Sequence, residues 1–244
     1  MWAKVPGCDH LSPSRPNPST VTPTPAGPSG RNAARRFNSI RSIPFLDWTQ
    51  MLTVFGDRGS GNCLKIKWVL DHLKRDYRWV EIDILKGESR TPEFLAMSEG
   101  GQVPTVVLED GRALAQSGAI LLHLAEGSDL IPVDPYDRAR MLEWMFWEQN
   151  SHEPNIASAR FRVVYLGWPE ADIPPAMIEN GTKALARLEA AAGRSAFLVG
   201  DRVSLADVAL VAYTRMIDGN GFRLKDWPNV AAWIGRVEAA LGIV

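Results

Sequence analysis

Cysteine is scarce in this chain. Only Cys8 and Cys63 occur among 244 residues, too few for a disulfide framework and suited to a reducing, cytoplasmic setting. Histidine is scarce as well. His10, His72, His123 and His152 share no ligand-like spacing, so no metal motif is present. Excess charge of one sign is missing: the net charge is −1, which gives no whole-chain electrostatic case for nucleic acid. Long apolar runs are missing too, and no stretch approaches the about 18–20 residues a membrane-spanning helix needs. What is there, 45% hydrophobic and 23% charged, is the composition of a globular chain with a real core.

Residues 1–50 stand apart. They hold eight of the 17 prolines, many serines and a charge of +4, which leaves −5 for the remainder. No apolar periodicity appears before Ile43 to Trp48, so the segment reads as a disordered extension. Three explanations stay open. Met51 is the true initiator and the upstream start is misplaced; or the segment is a transit-like peptide, rich in Arg and Ser and poor in acid; or it is a basic arm for an acidic partner. It lacks the apolar centre of a secretory signal.

The chain is organised around Leu52 to Leu70. Leu52, Thr53, Val54 and Phe55 suit a buried strand, and Gly56, Gly59 and Gly61 break it. Ile66, Val69, Leu70 and Leu73 then recur at helical spacing, so Ser60, Asn62 and Cys63 fall where a helix begins. Free backbone N–H groups and the helix dipole favour an anion there. Ser60 is also a good helix cap, which is its purely structural reading. The Ser60-x-x-Cys63 spacing resembles the Cys-x-x-Cys of thioredoxin-like redox proteins with the first cysteine replaced, so no disulfide closes between these positions.

Beyond the helix, Tyr77 to Leu85 alternates as a strand, with Trp79, Glu81 and Asp83 on one face. Thr91-Pro92-Glu93 opens a short helix, and Thr105 to Leu108 and Ala113 to Ala115 form two strands around a turn at Glu109 to Arg112. Gln116-Ser117-Gly118 leads into a third helix, giving the order βαβ, short helix, ββα.

These motifs, in this order over residues 52–240, resemble a soluble glutathione S-transferase, closest to bacterial members whose thiol-activating residue is a serine near the end of the first strand. The resemblance implies a thioredoxin-like α/β domain over 51–125, a linker over 126–134 and an all-helical domain over 135–244, with the site between the two domains. It implies glutathione as co-substrate, no metal, a small apolar electrophile, and a homodimer. By resemblance Ser60 is the thiol-activating residue, with Asn62 and Cys63 as rivals. Val103-Pro104 matches the cis-proline site whose preceding main chain pairs with the cysteinyl part of glutathione. From residue types alone a trans bond is favoured, since only about 5–6% of X–Pro bonds are cis; the resemblance reverses this. Gln116 and Ser117 match the pair that holds the γ-glutamyl end, where relatives often have Glu or Asp in place of Gln116. Ser117 has a cap as its structural reading. Gln102 matches a position used toward the glycyl carboxylate.

In the second half, Asp134-Pro135 opens a helix with a stripe of Met141, Leu142, Met145 and Phe146, broadened by Trp144 and Trp147. A further helix is expected from about Pro154 to Tyr165, placing His152 at a helix start. There a lone histidine simply hydrogen-bonds or, with Trp147 and Phe161, walls the electrophile pocket. Helices follow over about 175–192, from Ser204 to beyond Tyr213, and from Trp227-Pro228 onward. Ser204-Leu205-Ala206-Asp207 reads as a capping box, a folding element. Conjugation of glutathione to an electrophile is the leading function. The alternatives are a glutathione-dependent disulfide reductase or peroxidase using Asn62 or Cys63, and a non-enzymatic binding module.

Overall fold

The computed structural model describes residues 51–243. The expectations for residues 1–50, Cys8 and His10 included, lie outside the described residues. The described part begins with a mixed sheet. The first strand, β1 (Thr53–Gly56), is wholly buried and lies at the centre of the order β2-β1-β3-β4. It pairs in parallel with β2 (Arg78–Glu81), Val54 opposite Trp79, and antiparallel with β3 (Thr105–Val107), Val54 opposite Val106. The edge strand β4 (Ala113–Ala115) runs antiparallel to β3.

β2 is shorter than the alternation of Tyr77 to Leu85 suggests, because its partner ends first: Gly56 faces Glu81 at the last register position. Past that point the Asp83 carboxylate accepts from the N–H groups of Leu85 and Lys86 and turns the chain. Val80, Ile82 and Ile84 nevertheless share one side and pack with Phe55 and Phe94.

Helix α1 (Gly61–His72) buries Cys63, Ile66, Val69 and Leu70 against the sheet and α3 (Ser117–Ala125). Between them in sequence, α2 (Pro92–Met97) is capped by Thr91, whose hydroxyl accepts from Phe94 N–H, and has proline in its first turn.

The rest is helical. α4 (Pro135–Trp147) starts at Asp134, whose Oδ1 accepts from the N–H groups of Tyr136 and Asp137 at 2.9 Å each. The expected break before Pro154 is absent. The helix continues through a π-helical turn, Glu148–His152, into α5 (Glu153–Arg160) and a second π-helical turn, Phe161–Tyr165. Proline has no N–H to give and clashes with the carbonyl four residues back, so a wider turn just before Pro154 lets the helix run on. His152 is therefore inside a long helix and not at a helix start. Phe146, expected on the inner stripe, is 64% exposed. The buried positions are Met141, Trp144, Met145 and Glu148, one helical face, and Phe146 lies about 100° away from its neighbour Met145 around the axis.

α6 (Pro175–Ala192), α7 (Leu205–Thr214) and α8 (Pro228–Leu241) complete the fold. Every residue of α7 is buried, as its apolar sequence predicts. Asp207 in its first turn accepts from Ser204 N–H, Ser204 hydroxyl, Leu198 N–H and Trp233 Nε1 at 2.9–3.0 Å. α7 packs against α1, α4 and α8, so the central helix of the second half touches the first helix of the first half.

Candidate functional site

The loop between β1 and α1 is shaped by Asp57. Its Oδ1 accepts from Gly59 N–H at 2.7 Å and its Oδ2 from the Tyr165 hydroxyl at 2.6 Å. Ser60 follows, half-buried and extended (φ −86°, ψ 123°), and its side chain makes no capping hydrogen bond to the helix. Its backbone carbonyl accepts from Cys63 and Leu64 N–H.

Cys63 is fully buried behind this loop and its sulfur accepts from Asp57 N–H at 3.4 Å. Burial pushes its thiol up to about 12, so it is a protonated core residue at neutral pH.

Both polar atoms of the Asn62 side chain are hydrogen-bonded. Its Nδ2 donates to Glu153 Oε1 at 2.9 Å, and its Oδ1 accepts from Lys65 Nζ at 2.8 Å and Ser117 Oγ at 3.2 Å. Lys65 is 1% exposed and is held by Glu148 Oε1 at 2.9 Å and Glu153 Oε2 at 3.5 Å. Burial opposes its charge, but the two carboxylates outweigh it and raise its pKa above the ordinary lysine range. Ser117 is thus not simply a cap: its hydrogen goes across to Asn62, at the first residue of α3.

Gln116, just before α3, has φ +70° and ψ 114°, a conformation L residues rarely adopt. Strain of this kind collects at functional sites. Its side chain is exposed and donates to Gln102 Oε1 at 3.4 Å, while the Gln102 carbonyl accepts from Thr105 Oγ1 at 3.0 Å. The Val103–Pro104 bond is cis, as the resemblance implies. Asn62 and Ser117 are therefore joined by a hydrogen bond, and Gln102 and Gln116 by another.

The proposed pocket walls divide. His152 is wholly buried and its Nε2 lies 2.9 Å from Thr214 Oγ1, so it packs inside the helices and walls no open surface. Burial first, then the Lys65 charge, drives its pKa down to about 3. Trp147 is half-buried between Trp144 and His152 beneath the Arg187 guanidinium. Phe161 is exposed and stacks on Tyr165 at 5.1 Å, which brings it to the Ser60 loop through Asp57. Among the described residues no group of three or more His, Cys, Asp or Glu side chains is placed to hold a metal ion.

The sequence reading missed Lys65, Glu148, Glu153, Tyr165 and Tyr213. A signal existed for two of them. Lys65 interrupts the apolar face of α1, and Glu148 continues the buried stripe of α4. A charge in such a place needs a partner.

Residues 50–126 match the family model of the glutathione S-transferase N-terminal domain, and residues 174–236 that of the C-terminal domain. The crystal structure of a glutathione S-transferase from Pseudomonas fluorescens superimposes with a TM-score of 0.75 at 44% identity, over 78% of this chain and 96% of that one. Ure2p in complex with glutathione gives a TM-score of 0.70 at 25% identity, over 80% and 94%. Glutathione S-transferase F10 of Arabidopsis thaliana is 29% identical over 178 residues, 67% of this chain and 81% of that protein.

Proposed function

The chain belongs to the glutathione S-transferase family, with a thioredoxin-like domain followed by a helical one, and on that premise we propose that it conjugates the glutathione thiolate to a small electrophile, with Ser60 as the activating residue. One observation carries the choice of residue. Of the three candidates in the loop, Asn62 has both its amide oxygen and its amide nitrogen hydrogen-bonded and Cys63 is buried and protonated, whereas Ser60 is half-buried with a hydroxyl not used in capping.

The magnitudes are sufficient. A free thiol near pKa ~8.5 is mostly protonated at neutral pH, and lowering it by two units takes about 2.7 kcal/mol. A hydrogen bond to a charged sulfur gives roughly 1.5–3 kcal/mol, and the N-terminus of α1 about 0.3–1 more. The Ser60 hydroxyl donates to the developing thiolate and the thiol proton passes to solvent. The thiolate sulfur then forms a bond to the electrophilic carbon as the leaving group departs with its electron pair. Gln116, Ser117, Gln102 and the Val103 main chain hold the peptide portions of glutathione in this reading. Ure2p has been seen in complex with glutathione on the same fold, which supports a glutathione site here. A homodimer, a role in detoxification and a cytoplasmic setting accompany this reading.

A disulfide reductase working through Cys63 is disfavoured by the burial of that thiol. The deciding measurement is ultraviolet titration of the thiolate of bound glutathione, alongside conjugation of an activated aryl halide. The bound thiol is expected to ionise about two units below free glutathione, and Ser60→Ala is expected to bind glutathione but lose most of that shift and of the conjugation rate. Glutathione bound with an unshifted thiol in both proteins refutes the catalytic reading and leaves a holding site.

A further inference from the structure

We propose that Tyr165, from the second π-helical turn of the helical domain, is a positioning residue for thiol activation: it clamps the Asp57 carboxylate, and Asp57 sets the turn that presents Ser60. This rests on the reading of Ser60 given above.

The loop from Asp57 to Ser60 has spent all its main-chain donors. Asp57 N–H points at Cys63 Sγ at 3.4 Å, and Arg58 N–H donates to Glu81 Oε1 at 2.9 Å. Gly59 N–H donates to Asp57 Oδ1 at 2.7 Å, and Ser60 N–H to the Asp57 carbonyl at 3.0 Å. No N–H of the loop is left for a sulfur, so the aim of the Ser60 side chain is what matters. Two of the four bonds end on Asp57, one on its side chain and one on its main chain. The orientation of that carboxylate therefore shapes the turn just before Ser60.

Tyr165 fixes that orientation from the other domain. Its hydroxyl donates to Asp57 Oδ2 at 2.6 Å, so Asp57 is held at both oxygens. Burial first, and then the Asp57 carboxylate, push the phenol above the ordinary tyrosine range, so it keeps the hydrogen that it donates. The ring is stacked on Phe161 at 5.1 Å, and the Arg160 guanidinium lies 5.9 Å from its centroid. Gly59 makes the close approach possible: a Cβ there would stand 2.7 Å from the Tyr165 hydroxyl oxygen and 3.1 Å from Asp57 Oδ1. Released from this clamp, the Asp57 carboxylate would loosen the turn and bring a free negative charge nearer the sulfur, and both effects oppose a thiolate. A donor held in place before the reaction costs no reorganisation when the charge develops.

A Tyr165 that only tied the two domains together would change stability and leave the ionisation of bound glutathione alone. One that only touched the electrophile would change conjugation and leave the ionisation measured without electrophile alone. The test is therefore the thiol pKa of bound glutathione, read by ultraviolet titration with no electrophile present, in full-length wild type, Tyr165→Phe, Ser60→Ala and the double variant. Tyr165→Phe keeps the ring that stacks on Phe161. It is expected to raise the bound thiol pKa by roughly half a unit to one unit, the span of one ordinary hydrogen bond. The double variant is expected to match Ser60→Ala, because Tyr165 acts through Ser60. Gly59→Ala is an independent perturbation. Its backbone lies outside the left-handed region, so alanine fits the chain, but the added methyl group pushes the Tyr165 hydroxyl off Asp57. It is expected to shift the pKa in the same direction, and it decides the matter should Tyr165→Phe fail to fold. An unchanged pKa in Tyr165→Phe, or an effect that adds to that of Ser60→Ala, overturns the proposal while leaving Ser60 catalysis intact. An unshifted thiol in wild type overturns both.

Discussion

The imidazole of His152 is enclosed by helices, and its bonding fixes its protonation. Thr214 gives its hydroxyl hydrogen to the Leu210 carbonyl at 2.6 Å, so its oxygen accepts and His152 Nε2 carries the hydrogen. Nδ1 has no hydrogen-bond partner among the described residues, so a second proton there would have no acceptor. The folded pKa of about 3 lies below the ordinary 6.5. Between those two values the unfolded chain binds one proton more than the folded chain, so this group's contribution to stability rises with pH. It is fully present above pH 6.5, falls by about 1.4 kcal/mol per unit as pH drops below that, and levels off below about pH 3. Denaturant titrations between about pH 4 and 6.5 are expected to show a slope in His152→Gln that is shallower than wild type by about one proton. Coincident slopes would mean that His152 does not stay neutral in the fold. Sequence alone left this histidine as a hydrogen-bonding residue or a pocket wall. Only its depth of burial separates the two, and depth depends on α7, some sixty residues away.

The elements themselves were legible wherever local chemistry sets them. Asp134-Pro135 and Thr91-Pro92 begin helices because a side chain and a proline fix the first turn, and both caps form. Reading failed where a partner decides. β2 stops at Glu81 because β1 stops at Gly56, and the helix through Pro154 continues because a π-helical turn accommodates the proline. The site was half legible. Ser60, Asn62 and Ser117 stand out as motif positions, but the commitment of Asn62 to Glu153 arises from a contact 91 positions apart in the chain. Tyr213 is hidden in sequence at the end of the apolar run that makes α7 central. The signal at Ser204 to Asp207 was read as a folding element, and the contacts of Asp207 show its reach. It joins the start of α7, the preceding loop at Leu198 and the Trp233 indole of α8. Asp207→Ala leaves two buried backbone N–H groups and the indole N–H without an acceptor, each costing about 1–3 kcal/mol. Thermal denaturation is expected to show a loss of at least about 3 kcal/mol or failure to fold, whereas a change within about 0.5 kcal/mol, the range of a surface substitution, would contradict the assignment.

Across the whole of residues 51–243, the contacts that build the site also bind the two domains together. Lys65 with Glu148 and Glu153, Asn62 with Glu153, Tyr213 with Asn62, and Tyr165 with Asp57 all run from the sheet domain to the helical one. α1 packs on α7 along the same line, and the buried apolar core runs without interruption from Val54 and Ile66 to Val208 and Trp233. Separate unfolding of either domain would expose that core and strand the Lys65 and Glu148 charges in it. The two halves should therefore unfold in one step. Two probes report on them separately. In a Cys8→Ser background, the reactivity of the buried Cys63 thiol follows the sheet domain. Tryptophan fluorescence is weighted to the helical domain, which holds Trp144, Trp147, Trp168, Trp227 and Trp233 against Trp68 and Trp79 in the other. Their denaturant midpoints are expected to coincide. Lys65→Met removes one partner of a fully buried pair and should lower both midpoints together, by about 3–5 kcal/mol in stability. Adding Glu148→Leu removes the stranded charge and should restore most of that loss, since an apolar pair of similar volume is often neutral or better. Separated midpoints, or a Lys65→Met effect seen by only one probe, would show that the domains are stable independently and that the polar cluster is not what couples them.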